Sequence, residues 1–132
     1  MIKKFYVGIK GVIVQDGKVL VLQKNKPDPF WEICGGRIDG DETIEQALQR
    51  ELQEELPGIT NVKAERLLAA HRLPKDIDGD ISLMLVYYQV KATLPDPIVL
   101  SDEHSAYRWV ASSTEIVLNG GAQEAVSSAL GN

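Results

Sequence analysis

At 132 residues, with 44% hydrophobic and 25% charged content, the chain suits one compact globular domain and is too short for two typical ones. A formal net charge of −5 without a large basic patch argues against nucleic-acid polymers as partners. The single cysteine excludes an internal disulfide framework. No apolar run is long enough to span a membrane and no signal peptide is visible, so a cytoplasmic location is expected.

Tyr6 to Val14 reads as a first strand. Gln15-Asp16-Gly17 is a hairpin signal, and Lys18 to Gln23 returns as a second strand. Two prolines make Asn25 to Pro29 a loop, and Phe30 to Ile33 is a short strand leading into Gly35-Gly36. Thr43 to Glu55 lacks Gly and Pro and is rich in good helix formers. Thr43-Ile44-Glu45-Gln46 opens it as a capping box, and Pro57-Gly58 stops it. Val62 to Arg72 looks extended, although AERLLAAH alone would pass for helix. Pro74 to Asp80 is a polar loop, and Ile81 to Val90 is the clearest buried strand. Pro95-Asp96-Pro97 breaks the chain, and Tyr107 to Val110 is a short strand. Ser113 to Leu118 and Ala122 to Leu130 read as helices separated by Gly120-Gly121. Strands, helix, strands, helix suits a mixed α/β (α+β) sheet with helices on its faces.

The acidic helix carries the chemistry. Ile44, Ala47, Leu48 and Leu52 form an apolar stripe at helical spacing, and the row Ile44, Leu48, Glu51, Glu55 turns it acidic in its second half. Glu54 lies one step from Glu51 on the same side. Bunched carboxylates repel and resist desolvation unless protonated, paired or bound to metal, and hard cations such as Mg²⁺ take oxygen ligands. The plain alternative is a solvated acidic face.

Gly36, Glu42 and the run Arg50-Glu51-Leu52-Gln53-Glu54-Glu55 resemble the Nudix hydrolase signature. The ending Leu56-Pro57-Gly58-Ile59 is one residue longer than that pattern, after the carboxylates. The resemblance implies a Nudix-type α/β/α sandwich with a catalytic loop-helix. It also implies Mg²⁺ or Mn²⁺ bound by Glu51, Glu54 and Glu55 with help from the Gly36 carbonyl, Arg50 orienting the carboxylates, and Glu42 supporting the helix start. Nudix proteins often pair, so a homodimer is also in view.

Three features bear on the substrate. Phe30-Trp31, just before the glycine turn, offers rings for a nucleobase to stack on, or serves as core packing. Ser101-Asp102-Glu103-His104 with Tyr107-Arg108-Trp109 resembles a segment in several Nudix branches in which a glutamate is a further metal ligand or the general base. Glu103 takes that place here, unless it is a solvated loop carboxylate. His104 is an acid–base candidate or a loop-shaping residue. Arg72 could hold a phosphate bidentately or make a surface ion pair. Cys34 reads as packing rather than as a nucleophile.

The expected activity is hydrolysis of a phosphoanhydride in a small nucleotide-type substrate, with Glu54 or Glu103 as the base. The FWEICGG and EHSAYRW segments lean towards nucleoside or pterin triphosphates. Dinucleoside polyphosphates, nucleotide sugars and ADP-ribose are alternatives. A non-catalytic nucleotide-binding module on the same scaffold is the reading of a different class.

Overall fold

The computed structural model describes residues 1–132. The elements are β1 (Phe5–Gln15), β2 (Lys18–Lys24), β3 (Trp31–Glu32), β4 (Gly35–Arg37), α1 (Ile44–Glu55), β5 (Thr60–Arg72), β6 (Ser82–Thr93), β7 (His104–Val110) and α2 (Gly121–Leu130).

The sheet is mixed, in the order β3-β2-β1-β6-β5, with β4 on β1 and β7 on β2. At its centre β1 runs parallel to β6, from Phe5 opposite Ser82 to Ile13 opposite Val90. The end of β1 turns into β2 through Asp16 and Gly17, both at positive φ, the backbone of the tight hairpin turn that matches strand twist. Along β1, Ile9 and Ile13 enter one core with Leu20, Leu22, Leu48 and Leu52. Val12 enters a second core with Val19, Val21, Ala125 and Val126. Alternate side chains thus face α1 on one side and α2 on the other. Gly11 lets α1 come close, since a Cβ there would lie 3.3 Å from Leu52.

Helix α1 starts as its sequence dictates. The Thr43 hydroxyl accepts from the Gln46 N–H and the Gln46 side chain accepts from the Thr43 N–H. Ala47, Leu48 and Leu52 are buried, while Ile44 at the exposed first turn is not. The extra residue falls in the turn after the helix. Leu56 and Ile59 are both buried, and Ile59 N–H donates to the Leu56 carbonyl, so Pro57-Gly58 is absorbed outside the acidic segment.

The extended reading of Val62 to Arg72 holds: AERLLAAH is strand, paired antiparallel with β6, with register shifts near Lys63, Arg66 and Ala69 that break its period-two pattern. Two expectations are corrected. Ser113 to Leu118 is a run of turns rather than a helix. There the Glu115 carboxylate accepts from the Ala111 and Ser112 N–H groups, and the Ser112 hydroxyl takes the Thr114 N–H, so local side chains capture the backbone. The last strand begins at His104, ahead of Tyr107, through its ladder with β2.

Candidate active site

The second half of α1 lies against β4, and the two glycines of the Gly-Gly turn explain how. A Cβ on Gly36 would run into the Glu51 carboxylate, so any other residue would push that acid out of its present place. Gly35, at φ 138°, donates its N–H to Glu55 Oε1 at 3.2 Å.

Arg50 ties the segment together. Its Nε and Nη2 donate to the two Glu42 oxygens at 2.7 and 2.8 Å, a bidentate fork. Nη1 donates to Glu51 at 2.7 Å, and Nη2 also reaches the Arg37 carbonyl at 2.9 Å. Glu54 is 3.7 Å from the same guanidinium and exposed. The Arg50 hydrogen bonds hold the Glu42 carboxyl at a pKa of about 2, and its bonds to Glu42 and Glu51 raise Arg50's own. Glu42 closes the loop by accepting from the Asp39 N–H. Of the three glutamates that Arg50 was expected to orient, it hydrogen-bonds Glu51 and lies beside Glu54, and its fork to Glu42 was not anticipated.

Glu55 differs from its neighbours because it is buried, at 5% exposure. Burial pushes its carboxyl up to about 7, against the smaller downward pulls of Lys10 and the Gly35 N–H. One donor atom each from Glu55, Glu103 and His104 lie within 4.8 Å of one another. Glu103 is exposed, at the loop that leads into β7. The His104 side chain is fully buried, and its Nε2 is 2.8 Å from Glu32 Oε2. Lys10 Nζ lies 3.8 Å from the other Glu32 oxygen. Burial alone would raise the Glu32 pKa, but the His104 hydrogen bond and Lys10 together lower it.

An oxygen-rich donor set with a buried, under-neutralised carboxylate suits a hard divalent cation. Of the expected ligands, the structure brings Glu55 together with Glu103 and with His104, while Glu51 is hydrogen-bonded to Arg50 and Glu54 lies exposed beside it. Nearby, Cys34 donates its thiol to the Gly11 carbonyl at 3.2 Å, and burial raises its pKa, so it sits as an inert core residue.

A cleft of about 390 Å³ opens beside this cluster, lined by Phe30, Trp31, Lys10, Glu32, Tyr87 and Asn119 among others. Glu32 lines the cleft and is bound through His104 to the cluster of Glu55 and Glu103. Sequence reasoning found the aromatic pair and missed Lys10, Glu32, Tyr87 and Asn119, which come from four separate segments. Only Glu32 carried a local signal, its place between Trp31 and the glycine turn. Arg72 does not line the cleft. Its guanidinium stacks over the Phe5 ring at 5.0 Å, at the far end of β5.

Comparison with known proteins agrees with this architecture. The NUDIX domain profile matches residues 5–124. The CTP pyrophosphohydrolase of Escherichia coli (strain K12) is 32% identical over 106 residues, covering 76% of this chain and 72% of that protein. A putative 8-oxo-dGTP diphosphatase 2 of Mycobacterium tuberculosis is 32% identical over 108 residues, covering 80% and 72%. The structure of the E. coli dihydroneopterin triphosphate pyrophosphohydrolase superposes with a TM-score of 0.69 at 24% identity, covering 95% of this chain and 96% of that one, which speaks for the fold. The chain belongs to the Nudix hydrolase family.

Proposed function

We propose that the protein hydrolyses a phosphoanhydride bond of a nucleoside or pterin triphosphate in a divalent-metal-dependent reaction. The observation that carries this reading is that Glu32 lines an aromatic-walled cleft and is bound through His104 to a cluster of acids. A flat heterocycle stacked on Phe30 and Trp31 puts its phosphate tail within reach of that cluster. Such stacking contributes about 1–3 kcal/mol. Tyr87 and Asn119 offer polar groups for the edge of the ring.

Glu51, Glu54, Glu55 and Glu103, with the Gly36 carbonyl, would hold Mg²⁺ or Mn²⁺. The cation supplies neutralisation of phosphate charge and a more acidic water when bound. Arg50 keeps Glu51 aimed and fixes the loop through Glu42. Glu54 or Glu103, both solvent-accessible, accepts the proton of the attacking water. Water attack on phosphorus then releases phosphate or diphosphate. This reading assigns no role to Arg72, which does not itself line the cleft although Leu73 beside it does.

Relatives named for activity on CTP and on 8-oxo-dGTP favour a nucleoside triphosphate, and the ADP-ribose pyrophosphatase of Methanocaldococcus jannaschii keeps ADP-ribose as the alternative. The test is phosphate and pyrophosphate release from a panel of these compounds with Mg²⁺ or Mn²⁺. Glu54→Gln and Glu103→Gln proteins run alongside. One strongly turned-over triphosphate, with a kcat loss of about 10²–10⁴-fold in whichever variant lacks the base, supports the reading. Equal background from all three proteins overturns it in favour of a nucleotide-binding module.

A further inference from the structure

His104 is held with a purpose that proton transfer by Glu54 or Glu103 does not explain. Its side chain is fully buried, and Nε2 is committed to Glu32 at 2.8 Å. The other ring nitrogen, Nδ1, is buried with no hydrogen-bond partner. An unmade hydrogen bond on a buried polar atom is costly, so a native fold seldom leaves one without a use. Glu32 is itself pinned from its second oxygen by Lys10 at 3.8 Å, so it stays an acceptor for the Nε2–H proton. With Nε2 engaged by Glu32, Nδ1 is the ring nitrogen left open to another partner. Donor atoms of Glu55, Glu103 and His104 meet within 4.8 Å.

We propose that His104 is a nitrogen ligand, through Nδ1, for a divalent cation shared with Glu55 and Glu103, and that Glu32 is the residue that positions it. A carboxylate hydrogen-bonded to the far nitrogen of a metal-bound imidazole is the usual way such a ring is oriented and made more basic. The arrangement also sets a preference. A site of oxygens alone suits Mg²⁺ and Mn²⁺, whereas an imidazole shifts the preference towards later first-row ions such as Fe²⁺, Ni²⁺ and Zn²⁺. The inference rests on the metal dependence proposed above and adds to it the identity of one ligand and the order of metals. The second histidine, His71, lies elsewhere, against Gly120 and Gly121 at the start of α2.

The test uses Mn²⁺ alone with the whole chain and reads nitrogen coupling by pulsed electron paramagnetic resonance, with no turnover involved. The wild type and His71→Gln are expected to show a directly bound imidazole ¹⁴N, and His104→Gln to lose it while still unfolding cooperatively in urea. Glu32→Gln is expected to lower Mn²⁺ affinity by about 10–100-fold. If His104→Gln does not fold, persistence of the signal in His71→Gln makes the assignment, because the chain has two histidines. Mn²⁺ bound by the wild type without nitrogen coupling, or coupling unchanged in a folded His104→Gln, overturns the inference and leaves the carboxylate site standing. No binding of Mn²⁺ at all overturns both.

Discussion

Glu55 makes the stability of the metal-free protein depend on pH in a direction opposite to that of an ordinary paired carboxylate. Its folded-state pKa is raised from 4.5 to about 7 by burial. Below pH 4.5 the group is protonated in both folded and unfolded chains, and the fold keeps its full stability. Between 4.5 and 7 the folded chain holds a proton that the unfolded chain has released, so stability falls as pH rises and levels off above 7. The shift converts to about 3 kcal/mol at 1.36 kcal/mol per pH unit, a large share of a typical domain's stability. Replacement by glutamine keeps an acceptor for the Gly35 N–H and removes the titration. Urea unfolding of chelator-treated wild type and Glu55→Gln from pH 4.5 to 8.5 should show the wild type losing about 3 kcal/mol relative to the variant. The two chains share every other titrating group, so their difference isolates this one. Excess Mg²⁺ at pH 8.5 should restore the wild type and not the variant. Curves that stay parallel within about 0.5 kcal/mol would refute the argument that burial, without a cation, opposes the charge on Glu55.

Other outcomes follow from the same geometry. Gly36→Ala pushes its new methyl into the Glu51 carboxylate, and should weaken Mn²⁺ binding by about 10–100-fold in a calorimetric titration. Arg50→Lys cannot reproduce the fork to Glu42 together with the bonds to Glu51 and the Arg37 carbonyl. Its kcat should fall about 10–100-fold with the fold intact by circular dichroism. Trp31→Ala should raise KM by several-fold to about 100-fold and leave kcat nearly unchanged, while Trp31→Phe recovers most of the loss. A fall in kcat alone would place Trp31 in the core rather than under the substrate.

The readability of the site divides along chain separation. Glu42 and the run from Arg50 to Glu55 were legible because a helix places residues by count, and Thr43 with Gln46 announced where counting starts. The Gly36 requirement was visible only as a motif. Its cause, the approach of Glu51, needs three dimensions. The cleft was half legible. Phe30 and Trp31 are adjacent in sequence, but Lys10, Tyr87 and Asn119 are brought to them by the parallel pairing of β1 with β6 and by the start of α2, which no local pattern encodes. The bulged β5 was legible as extended despite its broken alternation, whereas the serine-rich turns after Val110 were misread as helix, because side chains there capture the backbone N–H groups.

The placement of Glu32 has an evolutionary consequence. Most of the cleft lining comes from the Phe30–Ile33 segment, β6 and the start of α2, while the acids come from α1 and the loop before β7. Leu73, Leu83, Leu85, Asn119 and Ala122 can therefore change, and with them the shape of the cleft, without touching the carboxylates. Glu32 is the exception. Any lineage that changes it to read a different ring also releases His104, so divergence at that one position would alter two properties at once.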